Sequence, residues 1–239
     1  MNEIEEAPEW NPPSPERVAR RALVLSAVVC RSGIEGDSKD PNAEAFRRTV
    51  LDWLEKLELL SELEPNEAEF LKKPLGLLDR RQVMDASWRT EGLAVLTWAL
   101  GRYDLPAYDS QADGPIAGYA LGFLSDSKET VLERPQLRSL KEMELLSESL
   151  FSAHWRLKQF SLDQKPMDFQ EFARTAWFGP LSLERLRLRE RDLEIKDKAL
   201  SAATEQAWRE VMSIVQERHQ AILWLQGQDE LYSRVSTDT

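Results

Sequence analysis

Two helical stretches place ionised side chains among indoles, the one pattern in this chain that could support chemistry. The first reads Ser87-Trp88-Arg89-Thr90-Glu91-Gly92 and runs on to Trp98-Ala99-Leu100-Gly101. Trp88 and Glu91 stand three apart and so share a helix face. The second reads Glu217-Arg218-His219-Gln220-Ala221 and runs on to Trp224-Leu225. A third fragment, His154-Trp155-Arg156, has the same mixture. Arginine offers forked donors for an anion, and histidine a proton-transfer group that titrates near neutrality. The candidate constellation is Trp88, Arg89, Glu91, Trp98, His154, Arg156, Glu217, Arg218, His219 and Trp224. Two readings stand beside each other. In one, Arg89 and Arg218 pair with Glu91 and Glu217 in a buried network that specifies packing. In the other, Arg89, Glu91, Glu217, Arg218 and His219 line a polar pocket for an anionic or polar ligand.

The usual reaction motifs are missing. There is no GxGxxG, no GxxxxGK[ST], no GxSxG and no HExxH; these would supply phosphate cradles, a serine elbow or a zinc helix. Only two histidines exist, and Phe151 and Gln216 occupy the places where a Glu-x-x-His metal motif needs glutamate. The single cysteine, Cys30, makes no CxxC site and no intrachain disulfide. A zinc site would need both histidines together with carboxylates or Cys30. No catalytic residue, cofactor or metal ligand is assigned.

The elements that must position these residues are mostly helices. Ser14-Pro15-Glu16 reads as a cap, a first-turn proline and an early acid. The helix that follows carries Val18, Ala22, Leu25 and Val29 on one face and ends near Gly33. Asn42 is the expected cap of a second helix bearing Phe46, Val50, Trp53, Leu54, Leu57 and Leu60 at helical spacing. A short helix from Pro65 carries Phe70 and Leu71. Asp79 caps the helix of the first string, with Val83, Met84, Trp88, Val95, Leu96 and Ala99 inward and Gly101 just past its end. Gly114, Gly118 and Gly122, four apart, would line one face of a closely packed helix started by Pro115. A long helix after Pro135 carries Leu137 through His154 and Leu157, and a short one holds Phe169, Phe172, Ala173 and Trp177. Ser201 is the expected cap of the last helix, which Gly227 ends, and Tyr232 and Val235 pack back onto the fold.

Between these, Leu186, Leu188, Leu193 and Ile195 alternate with charge. Period two predicts a β-hairpin near residues 184–196, turning at 189–192; a charged helix is the rival. The fold class is therefore mainly α, a bundle-like array of helices with one small hairpin. Residues 1–13, acidic and rich in proline, are expected to be a loosely ordered leader, with Trp10 docked on the surface. Residues 14–239 are expected to form a single helical domain.

Composition bounds the function. The chain has 239 residues, 42% apolar and 31% charged, with only ten glycines and eight tryptophans. That is a folding composition, with indoles to anchor helix contacts. The net charge of −11 repels a phosphate backbone. No basic cluster offsets it, because Arg185, Arg187, Arg189 and Arg191 are interleaved with Glu184, Glu190, Asp192 and Glu194. Nucleic acid is not an expected partner. The apolar stretch Ala22 to Cys30 is too short for a membrane span, and its flanks suit a core helix better than a signal peptide. A lone cysteine fits a reducing, cytoplasmic setting.

The string Trp88-Arg89-x-Glu91-Gly92 with Leu96-x-Trp98-Ala99-Leu100-Gly101 resembles the signature of the bacterial family called domain of unknown function 4272. Glu217-Arg218-His219-x-Ala221-x-x-Trp224-Leu225, His154-Trp155-Arg156 and Leu193-x-Ile195 are similar to it too. The resemblance runs from about Arg17 to the last residue and implies a cytosolic, broadly helical bacterial protein without assigned catalytic residues. Two functions are expected from the whole. One is a non-catalytic protein-interaction or regulatory module, in one form an immunity protein that neutralises a basic partner. The other is an enzyme or small-ligand binder built on the Arg89, Glu91, Glu217, Arg218 and His219 pocket.

Overall fold

A computed structural model describes residues 11–238. The expected leader falls mostly outside these residues; Asn11 and Pro12 are exposed backbone running into the first helix. Eight α-helices and three short strands follow among the described residues. The helices are α1 (Pro15–Gly33), α2 (Pro41–Lys56), α3 (Pro65–Lys72), α4 (Arg80–Ala99), α5 (Gly114–Ala120), α6 (Leu140–Leu162), α7 (Phe169–Thr175) and α8 (Glu205–Leu225). The strands are β1 (Leu188–Arg189), β2 (Asp192–Ile195) and β3 (Lys198–Ala199).

Side-chain caps fix most helix starts. Ser14 accepts from Arg17 N–H, and Asp79 and Gln82 form a reciprocal capping box at α4. Ser139 and Glu142 do the same for α6. Two starts differ from expectation. Asp40, not Asn42, caps α2, because Pro41 is suited to the first helical position and leaves the cap to the acid before it. Thr204, not Ser201, caps α8, because residues 200–202 form a separate 3₁₀ turn. Gly122 lies beyond α5 at φ +76°, so only Gly114 and Gly118 share the helix face. Phe46 and Met84 sit on their helices but remain exposed; Leu60, expected on α2, lies beyond its end in a 3₁₀ turn at residues 59–62 and is exposed too.

Helix α4 is the axis of the core. It packs against α1 on one side and α8 on the other, and α6 packs against the far side of α8. Residues Glu91 to Ala99 are therefore buried all round. Gly92 is required there: a Cβ at that position would fall 1.9 Å from the Tyr232 hydroxyl oxygen. Tyr232 and Val235 pack back as expected. At the opposite end Gly227, at φ +80°, brings its backbone against Asn11, where a Cβ would stand 2.7 Å from the carbonyl carbon. Arg17 donates to the Glu230 carbonyl at 2.6 Å, so segments 11–17 and 227–230 are laced together.

The predicted hairpin forms, with Leu188 opposite Leu193 and Arg189 opposite Asp192. A second hairpin, not expected, adds β3 by pairing Glu194 with Ala199 and Ile195 with Lys198. Both two-residue turns are left-handed without glycine: Glu190 and Arg191 at φ 53° and 68°, Lys196 and Asp197 at 46° and 65°. That conformation matches the twist of the flanking strands.

Candidate functional site

The two tryptophan-bearing strings meet where α4 crosses α8, and their charges pair across the helices. Glu91 Oε2 accepts from Arg218 Nε at 2.8 Å and Nη2 at 2.8 Å. Arg218 then spends its other protons on the loop between α4 and α5. Nη1 donates to Pro106 O at 2.8 Å and Ala107 O at 3.0 Å, and Nη2 to Ser110 O at 2.7 Å. Glu91 Oε1 accepts from Ala112 N–H at 2.9 Å. Glu91 is 2% exposed and Arg218 1%. Burial lowers the Arg218 pKa, and the Glu91 charge opposes it. The pair fastens a loop of irregular backbone whose Pro106 and Ser110 carbonyls would otherwise lack donors, Ala107 O also accepting from Ser110 N–H.

Arg89 and Glu217 form a second crossed pair at 3.1 Å, and Arg89 reaches Gln220 Oε1 at 3.3 Å. These groups are partly open, Arg89 lining a cleft of about 480 Å³ beside Glu64, Asp85 and Arg234. Its guanidinium sits 5.5 Å from the Tyr232 ring centroid. Burial pushes the Glu217 carboxyl up, against the pull of Arg89.

His154 and His219 touch directly, Nδ1 to Nδ1 at 3.1 Å. Such a contact needs one ring to carry its proton on Nδ1 and the other on Nε2. Both rings are 2% exposed. Burial, with the Lys158 cation second, lowers His154 to about 4. Burial, with His154 second, lowers His219 to about 3. Both are neutral at pH 7.

His219 also lines a cleft of about 640 Å³ between α6, α8 and residues 180–182. Glu144 and Glu148 stand one turn apart on its α6 wall and are exposed. A chain of rings leads to its floor. Trp177, 91% exposed, meets Phe178 edge-on at 5.3 Å. Phe178 meets Phe151 at 6.4 Å, and Phe151 meets His219 at 6.0 Å.

The remaining candidates lie apart. Arg156, fully buried, grips Asp192 through Nε at 2.7 Å and Nη2 at 2.6 Å, pinning β2 to α6. Trp98 is covered by Arg138 and Arg185, 5.1 and 5.7 Å from its ring centroid. Trp224 packs on Tyr232, and Trp88 is half-buried on α4. Sequence reasoning missed three more buried arginines, Arg21 paired with Glu67, Arg31 with Glu35 at 2.5 Å and Arg47 with Glu44 at 2.7 Å. Arg21 and Arg31 interrupt the apolar face of α1, Arg21 between Val18 and Leu25, which is the signal that could have found them. Among the described residues no three of His, Cys, Asp and Glu gather closely enough to hold a metal ion, and no helix is long and apolar enough to cross a membrane.

The family model described as "Domain of unknown function (DUF4272)" matches residues 2–171. The span takes in the Trp88 and His154 strings and ends within α7, so α8 with Glu217, Arg218 and His219 lies beyond it. No curated protein and no solved structure matches the chain.

Proposed function

The chain belongs to the DUF4272 family, and on that premise we propose that it is a non-catalytic binding module that takes a basic segment of a partner protein into the α6–α8 cleft. One observation carries this reading: among the described residues, Glu144 and Glu148 are the only ionised side chains lining that cleft, and no lysine or arginine lines it. A cationic side chain entering there meets two carboxylates and the ring series that begins at Trp177. Charge attraction and cation–π contact favour it together. Exposed tryptophan at a cleft rim is the kind of anchor that dominates protein interfaces. The net charge of −11 steers a basic partner from a distance. A regulatory or immunity-type protein that neutralises a basic partner is one form of this function. The lone cysteine suits a reducing compartment, the cytoplasm for a bacterial protein. The ligand-pocket reading built on Arg89, Glu91, Glu217, Arg218 and His219 is the weaker, because Glu91 and Arg218 have committed their hydrogen bonds to each other and to the loop.

Calorimetric titration with a lysine- and arginine-rich peptide, against a serine-rich one of equal length, tests the reading. The basic peptide should bind, more weakly as salt rises. Each exposed charge pair contributes roughly 0.2–1 kcal/mol, so Glu144→Gln with Glu148→Gln should weaken it by about two- to thirtyfold. Trp177→Ala should weaken it as well. Equal binding of both peptides, or no change in the variants, would overturn the proposal.

A further inference from the structure

We infer that the cavity walled by α1, α4 and α5 is a binding site for a small, uncharged, apolar molecule, separate from the acidic cleft. The cavity measures about 510 Å³, within the range of roughly 300–1,000 Å³ typical of small-molecule sites. Its wall is set apart by charge. None of its fifteen lining residues is ionisable as an acid or base of the Asp, Glu, Lys, Arg or His type. In a chain that is 31% charged, a random sample of that size would hold about five.

The wall's hydroxyls are mostly silent. Ser26 donates to Ala22 O at 3.0 Å, Ser32 to Val29 O at 2.7 Å and Ser87 to Met84 O at 2.7 Å. Each is turned back onto its own helix, so the surface offered to an occupant is that of Val29, Ile34, Phe123 and Leu124. A charged occupant would lose its hydration without a counter-charge, which costs far more than such a wall returns. Thr90 keeps a hydroxyl without a protein partner among the described residues, suited to a single hydroxyl or carbonyl on the ligand. The space exists because α5 carries glycine at 114 and 118 and approaches α1 closely; a Cβ on Gly114 would stand 3.0 Å from Val29 Cγ1. Phe46 and Tyr119 line the cavity and are exposed, 38% and 85%, which gives it an open side.

The chain's single cysteine reports on occupancy. Cys30 lines the cavity, half-buried, and burial pushes its thiol up to about 11. It stays protonated and slow to react at neutral pH, and any ligand in the cavity shields it further. The test uses the intact chain. N-phenyl-1-naphthylamine, a neutral fluorophore, should bind saturably and be displaced by 1-decanol. Decanoate and decylammonium should each displace it at least tenfold less well. On the wild-type protein, saturating decanol should slow maleimide labelling of Cys30 at least fivefold. Ser87→Phe, which places a ring at the wall, should weaken fluorophore binding, while Glu144→Gln with Glu148→Gln should leave it unchanged. The inference falls if the fluorophore does not saturate, if the charged chains compete as well as the alcohol, or if decanol leaves the labelling rate unchanged.

Discussion

Replacing either partner of the Glu91–Arg218 pair should unfold the protein more readily than any surface change, and replacing both should do less harm than the two separate losses combined. Glu91→Leu leaves the Arg218 cation, 1% exposed, without its counter-charge and leaves Ala112 N–H without an acceptor. Arg218→Met leaves the Glu91 carboxylate without its counter-charge and the Pro106 and Ser110 carbonyls without donors, while Ala107 O keeps the Ser110 N–H. Breaking a buried ion pair from one side costs about 3–5 kcal/mol. A native chain holds only about 5–15 kcal/mol in total. At roughly 2–4 °C per kcal/mol for a chain of this size, each single change should lower the Tm by about 6–20 °C. The double variant leaves no unpaired charge at this crossing. Its remaining cost is the three bare loop groups, Ala112 N–H and the Pro106 and Ser110 carbonyls, about 1 kcal/mol each, so it should lose about 3 kcal/mol where the singles sum to about 6–10. Urea unfolding followed by tryptophan fluorescence at pH 7 gives all three values and their coupling. Single losses below about 1 kcal/mol, or a double variant as unstable as the sum, would refute the reasoning.

The histidine pair makes stability pH-dependent. Both pKa values are depressed when folded, to about 4 and about 3, so their contribution is complete above the unfolded value of about 6.5 and is lost as pH falls toward the folded values. Unfolding midpoints should drop between pH 6.5 and 5, at up to about 1.4 kcal/mol per pH unit for each ring, and His154→Gln with His219→Gln should flatten that slope; a flat wild-type profile contradicts the burial of the pair. Asp197→Gly should stabilise the protein by about 1 kcal/mol, since residue 197 is exposed at φ 65° and glycine adopts that conformation without strain; a lower melting temperature would show that the aspartate side chain is needed. Tyr232→Phe should be neutral or stabilising by about 1 kcal/mol, because the buried hydroxyl has no hydrogen-bond partner among the described residues; a clear loss in differential scanning calorimetry would reveal one.

Much of the helical framework was legible because caps and breakers act within a few residues. Ser14-Pro15, Asp79 with Gln82, Gly101 and Gly227 each mark a boundary found in the fold. Alternation located the first hairpin, but β3 is two residues long, and its left-handed Lys196-Asp197 turn has no glycine to announce it. The ionised residues on α4 and α8 could be singled out from their apolar neighbours, whereas their crossed pairing could not. Arg89 meets Glu217 across 128 residues and His154 meets His219 across 65, separations that only the packing of α4 and α6 on α8 resolves. The acidic cleft was hidden for the same reason: Glu144 and Glu148 look like any solvated helix face until residues 180–182 supply another wall of the cleft.

The lacing of residues 11–17 to 227–230 bears on how the protein is made. A ribosome delivers α1 and α4 long before α8 and the residues around Glu230 emerge, so the faces that α4 turns to α8 and that Gly227 turns to Asn11 have nothing to meet. Until α8 and Glu230 clear the exit tunnel, the nascent chain must carry those surfaces uncovered. Closure thus waits on α8, and the growing polypeptide is a natural client for whatever shields greasy helices at the tunnel mouth.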